Sequence, residues 1–221
     1  MEKHYTWKIP ANVPIDIPQE ITSAFRRNIY LKEHLAKRLQ SDDRLESHYW
    51  IIREWGGIKT FQVNKRNNQK IDEFRKQLNN NRLQRSTFNL ISSLSKLAAF
   101  WNPKEYSIYD SRAIFSLNWL IFRHSDDRQL FPQPIGRSTA VSMYDTATLF
   151  RLSGIEYSDR HWKTAYHEYC EILRNLAKEA LNTDRPYYVE MLLFVAAPKF
   201  IVEDIRSNTN VRININIQPR A

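Results

Sequence analysis

The sequence predicts a mostly α-helical protein folded as a single domain, and three observations carry that prediction. Only four glycines, Gly56, Gly57, Gly136 and Gly154, occur in 221 residues, too few for the many tight turns of a sandwich or barrel. Long segments space their apolar residues as a helix does. With 42% hydrophobic and 13% aromatic residues, the chain can build a packed interior. We expect an extended N-terminal arm over residues 1–18, one helical domain over 19–221, and a short C-terminal strand.

The elements follow in order. Residues 1–18 hold three prolines, which suit an extended arm lying over the body. From Gln19 to Gln40, Ile21, Phe25, Ile29, Leu35 and Leu39 fall near helical spacing. "DDRLESHYWIIREW" starts on paired aspartates that favour a helix N-terminus and stops at Gly56-Gly57. "IKTFQV" reads as a short extended piece, and the basic segment from Asn64 to Arg85 as polar chain with one short helix. Ser86 is the expected cap of an apolar helix ended by Pro103, and Asp110-Ser111 opens the next one. A proline-punctuated loop follows, then helices over about 139–152, 159–182 and 186–205. "VRININIQ" alternates apolar and polar residues, the pattern of one edge strand.

Composition excludes several classes of function. So few glycines cannot assemble a Walker-type loop or a dinucleotide fingerprint. The single cysteine, Cys170, rules out an intramolecular disulfide and a cysteine zinc cluster, and reads as a small core residue. The six histidines are scattered, so neither a catalytic metal nor a cofactor is expected. No apolar run approaches a membrane span and the N-terminus has no signal-peptide pattern, which leads us to expect a cytoplasmic protein. Thirty-three Lys and Arg against 24 Asp and Glu give a net charge of +9. Such an excess attracts polyanions and supplies the counterion-release contribution of nucleic-acid binding.

The stretch "LISSLSKLAAFWNPKEYSIYDSR", Leu90 to Arg112, is the leading candidate site. Lys96 lies in the first turns of an apolar helix, where desolvation lowers an amine's pKa and makes a nucleophile; the plainer reading is a solvated lysine on an amphipathic face. Asp110 is a helix cap on any reading, its carboxylate held by backbone N–H groups. Fixed beside a substrate, it can also stabilise a developing oxocarbenium ion or orient a water.

Leu90, Lys96 and Ala98, then Pro103 and Ile108-Tyr109-Asp110, give this stretch a resemblance to the helix-hairpin-helix DNA glycosylases, including bacterial phage-defence members. Ser92 and Leu94 stand where that hairpin has glycines. The resemblance implies an enzyme that extrudes a modified or damaged base from double-stranded DNA and cleaves its N-glycosidic bond. In it, Asp110 takes the place of the essential carboxylate and Lys96 that of the attacking amine. Ser92, Ser93, Ser95 and Arg112 would contact the backbone, and Tyr109 would stack on the base or fill its gap.

Other features join this picture. Trp55, Gly56-Gly57 and Lys59 combine a possible wedge with a close backbone approach, or are simply a helix end with core tryptophans. Arg137, in "PIGRS", and Arg82 and Arg85, ending the basic run that starts at Lys65, are candidate phosphate contacts. Glu190 lies among apolar residues and needs an arginine partner or a proton, or serves as a catalytic acid. Two alternatives stand beside the glycosylase. Arg27-Asn28 with His34 resembles the signature of metal-independent HEPN-type helical ribonucleases, and the basic face alone would make a non-enzymatic nucleic-acid-binding module.

Overall fold

The computed structural model describes residues 1–136 and 138–210. Its N-terminal arm opens with one 3₁₀ turn, Glu2–His4, and crosses the body without regular structure until α1 (Ala24–His34), which Ser23 caps. The arm stays down because its aromatics are buried: Tyr5 packs with Phe25, Tyr187 and Met191, and Trp7 donates from its indole to the Trp55 carbonyl. Asn28 of α1 completes the attachment by donating to the Trp7 carbonyl.

The helix expected over 19–40 is shorter and divided, with α2 (Ala36–Gln40) following α1. Asp42 accepts from the Glu46 and Ser47 amides and so starts α3 (Glu46–Tyr49). The chain then widens into a π-helical segment, Trp50–Trp55. It ends at Gly56-Gly57, where Gly57 takes φ 65, a backbone region open mainly to glycine. "IKTFQV" forms turns and no strand.

The basic segment holds a single 14-residue helix, α4 (Lys65–Leu78), longer than its polar sequence suggests. Ile71, Phe74 and Leu78 suffice to bury it, being spaced along one face. Ser86 is not a cap. It lies inside a one-turn helix, α5 (Arg85–Phe88), and α6 (Ile91–Trp101) begins after Leu90. Asp110 does cap α7 (Ser111–His124).

Beyond α7, β1 (Gln129–Leu130) pairs in parallel with β2 (Ser158–Asp159), a contact the sequence did not announce. Between them lie α8 (Thr139–Ser142) and α9 (Thr146–Leu152), two helices where one was expected. His161 caps α10 (Trp162–Leu181), which starts three residues later than expected. Then α11 (Tyr187–Ala196) runs through a π-helical stretch, Ala197–Ile201, into α12 (Val202–Asn208). Pro198, which has no N–H to give, lies in that stretch.

The result is a mostly α-helical single domain. Its main core surrounds α6, where every residue from Ile91 to Phe100 except Ser92 is buried. A second cluster joins Phe115, Trp119 and Phe122 of α7 to Phe150, Val202 and Ile205. Among the described residues no helix is long and apolar enough to cross a membrane. The strand expected over 211–218 lies outside them.

Candidate functional site

Three helix ends, the side of α11 and the arm line one cleft of about 1090 Å³. The end of the π-helical segment and the turns after it contribute Trp55 to Thr60, α6 its first turns, and the start of α7 Asp110 to Arg112. Tyr5 and Trp7 of the arm, Arg85 and Phe88 of α5, residues 132–136 with Ser138, and Glu190 and Phe194 of α11 close the rest.

Asp110 is held there by a turn whose backbone is bonded almost entirely to side chains. Tyr166 and Tyr169 of α10 donate to the Ser107 and Ile108 carbonyls at 3.1 and 3.0 Å. The Tyr109 amide donates to Ser95 Oγ at 3.0 Å, and the Tyr109 hydroxyl to the Pro132 carbonyl at 2.9 Å. The Ser107 amide faces Cys170 Sγ and the Ile108 amide faces Glu190 Oε2, both at 3.5 Å. A buried turn without such partners loses about 1–3 kcal/mol for each unpaired group, so residues from three helices fix the approach to Asp110. At its end Asp110 Oδ1 accepts from the Arg112 amide at 2.9 Å. No described residue bonds Oδ2.

Lys96 enters the same cleft from α6. It is 5% exposed, and its Nζ donates to the Ser92 carbonyl one turn back. The methylenes reach that position only because residue 56 is glycine. A Cβ on Gly56 would lie 2.6 Å from Lys96 Cδ and 2.8 Å from the Ile52 carbonyl oxygen. Gly136 likewise leaves room for Ser111, whose Oγ would lie 2.3 Å from an added Cβ. Two of the four glycines therefore shape this cleft.

The buried end of the cleft carries Glu190. Its Oε2 pairs with Lys32 Nζ of α1 at 3.0 Å, and both side chains are nearly inaccessible. Lys32 also lies over the faces of Trp55 and Phe100, at 5.8 and 5.3 Å from the ring centres. Burial raises the Glu190 carboxyl above its ordinary range, against the lowering pull of Lys32. Burial also raises the Tyr5 phenol, with Glu190 and Asp110 pushing the same way, so Tyr5 keeps its proton.

The structure therefore brings together Asp110, Lys96, Ser92, Ser93, Arg112, Lys59, Arg85 and Trp55 on one cleft. Arg112 stacks on Phe194 at 4.7 Å, and Arg85 lies 5.6 Å from the Trp162 ring. The Trp55 indole donates to Asn28 Oδ1, so this ring is a fixed wall. Tyr109 and Ser95 are elsewhere: both are fully buried, and they bond the turn instead of facing a ligand. Arg82 is exposed but does not line the cleft, and Arg137 lies outside the described residues. The hairpin expected over Leu90–Ala98 is helical from Ile91 onward.

Of the ribonuclease signature, Asn28 is buried in bonds to Trp7 and Trp55, while His34 is exposed and stacked on Tyr30. None of Arg27, Asn28 and His34 borders the cleft. Among the described residues no group of three or more His, Cys, Asp or Glu is arranged to hold a metal ion. Sequence reasoning missed Tyr5, Lys32 and the loop tip Ile135, which is 99% exposed at the cleft rim. Only proline on one side and glycine on the other marked Ile135 in the sequence.

Burial pushes the Cys170 thiol up to about 12, consistent with an inert core residue. Compared with protein-family models, curated proteins and solved structures, the chain matches none of them.

Proposed function

We propose that the protein binds DNA, draws one nucleotide into this cleft and cleaves its N-glycosidic bond, in the manner of the helix-hairpin-helix glycosylases its sequence resembles. One observation carries the proposal: Asp110 and Lys96 share a cleft with three further cations, Lys59, Arg85 and Arg112, and with aromatic walls. Cations at a cleft mouth engage phosphates, and aromatic walls accept a base removed from its stack. Asp110 Oδ2 then faces the sugar. As the C1′–N bond breaks, its electron pair leaves with the base, the carboxylate stabilises the cationic sugar, and water adds at C1′, its released proton going to the departed base. Lys96 serves either as an imine-forming amine in place of that water or as a sugar or phosphate contact. Ile135, apolar and exposed at the rim, is the residue suited to enter the gap in the duplex, a role that the buried Tyr109 and the fixed Trp55 cannot take.

The test is a panel of duplexes carrying damaged or modified bases, scored for abasic sites and for borohydride-trapped adducts. Abasic sites that disappear in Asp110→Asn support the proposal. DNA binding with no abasic site and no adduct across the panel overturns the enzyme and leaves a nucleic-acid-binding module.

A further inference from the structure

We propose that Glu190 selects the base, accepting a hydrogen bond through Oε1 from an exocyclic amino group, so that the cleft takes adenine, cytosine or guanine derivatives and rejects thymine and uracil. The inference rests on the nucleotide-binding reading above and deepens it. Its starting point is the asymmetry of one carboxylate. Oε2 faces both Lys32 Nζ and the Ile108 amide, whereas Oε1 accepts from no described residue. Nor is Oε1 among the fully enclosed unpaired atoms, so its remaining exposure is to the cleft that Glu190 lines. A carboxylate oxygen in so buried a position is a strong acceptor with one place still to fill.

The distribution of charge around the cleft says which part of a ligand fills it. Lys59 and Arg85 are exposed and Arg112 half-buried, while Glu190 is 5% exposed and lies beside the aromatic walls of Tyr5 and Phe194. Phosphate oxygens are therefore drawn to the exposed cations of the rim, where they stay hydrated, and the aromatic walls deeper in the cleft turn the base inward. A base amino group is the N–H donor that a carboxylate reads in nucleic acids, and a keto oxygen in its place is repelled; the ring N–H of thymine and uracil is flanked by such oxygens on both sides. Lys32 opposes the reverse selection, because its ammonium favours the ionised, accepting carboxyl against the burial that raises it.

Binding of the full-length protein is measured on duplexes with one unpaired nucleotide opposite an abasic site, comparing adenine, cytosine, thymine and uracil with a fully paired duplex. We expect cytosine to bind about tenfold or more tightly than uracil, and Glu190→Gln, whose amide can also donate, to remove most of that ratio. Because Glu190→Gln strips Lys32 of its partner, the double variant Lys32→Met with Glu190→Gln is measured beside it, and the wild-type ratio needs no variant. Equal binding of cytosine and uracil by the wild type overturns the inference while leaving the nucleotide-binding reading intact. So does an unchanged ratio in a folded Glu190 variant. If no unpaired nucleotide binds better than the paired duplex, the reading itself fails and the inference with it.

Discussion

Two ionisable pairs are buried among the described residues, and they are completed in opposite ways. Asp42 accepts from the Glu46 and Ser47 amides and faces His48 Nδ1 at 3.1 Å, while His48 Nε2 lies 3.1 Å from the Trp101 indole nitrogen. Since an indole N–H can only donate, these bonds assign a neutral ring with its proton on Nδ1. Both carboxylate oxygens and both ring nitrogens are occupied within the protein. Lys32–Glu190 is buried to the same degree, yet one carboxylate oxygen is left toward the cleft. Removing charges from water costs several kcal/mol per ion, which good internal geometry can offset. The Asp42–His48 pair meets that cost by starting a helix and joining α3 to α6. The Lys32–Glu190 pair does so incompletely, and the remaining acceptor is the one we propose reads a base.

The contrast can be broken most sharply at the cleft itself. Asp110→Asn should lower glycosylase turnover by roughly 10²–10⁴-fold and barely shift the melting temperature, since asparagine caps a helix as well as aspartate does. Turnover within threefold of wild type would remove Asp110 from the chemistry. Next in size, Lys32→Met leaves Glu190 buried without its cation and should cost about 3 kcal/mol or more in urea unfolding. A smaller loss would mean that Glu190 is already protonated. Gly56→Ala should cost about 1–3 kcal/mol, because the Ile52 carbonyl cannot swing aside as a side chain can. It should also move Lys96, which loss of DNA affinity or of any borohydride adduct would register.

A pH titration separates the pairs by sign. Burial lowers the His48 pKa. Its contribution is therefore present above the ordinary histidine value of about 6.5 and lost as pH falls through the lowered folded value. Desolvation tends to raise Asp42, but the bonds from His48 and Ser47 lower it overall, so its contribution is lost at more acid pH still. Glu190 is raised, so its contribution is present at acid pH and declines as pH rises through its folded value. Thermal melts from pH 7 to 5 should show wild type losing more stability than His48→Gln. Parallel curves would mean that His48 is not the group titrating. The smallest effect belongs to the rim: Arg85→Ala should leave stability within about 0.5 kcal/mol and reduce the salt-dependence slope of DNA binding by about 1. An unchanged slope would place Arg85 outside the DNA contact.

How much of this was legible in the chain depends on the range of each interaction. The Asp110 cap could be read directly, because the bond to the Arg112 amide spans two residues and depends on nothing else. The divided helices at 34–36 and 142–146 could not be read, since apolar spacing continues across both breaks. Helix α4 was underread because three buried residues carry it within a strongly polar sequence. In the site, Lys96 and Asp110 were found from their local setting. Tyr109, the cap's neighbour, was misassigned, because its burial is decided by Phe88, Phe131, Tyr166 and Tyr169, which lie far along the chain.

The sequence by itself determined that this protein is basic, helical and glycine-poor, and that Asp110 begins a helix. These are properties of composition and of neighbours within a turn or two. Only the tertiary structure decided that the cap faces a cleft and that Gly56 admits Lys96 to it. The same holds for Glu190, which meets Lys32 across 158 positions of chain. A cation and a carboxylate so far apart carry no local mark of one another. Their pairing is set by how α1 and α11 pack, and that packing is a property of the whole core.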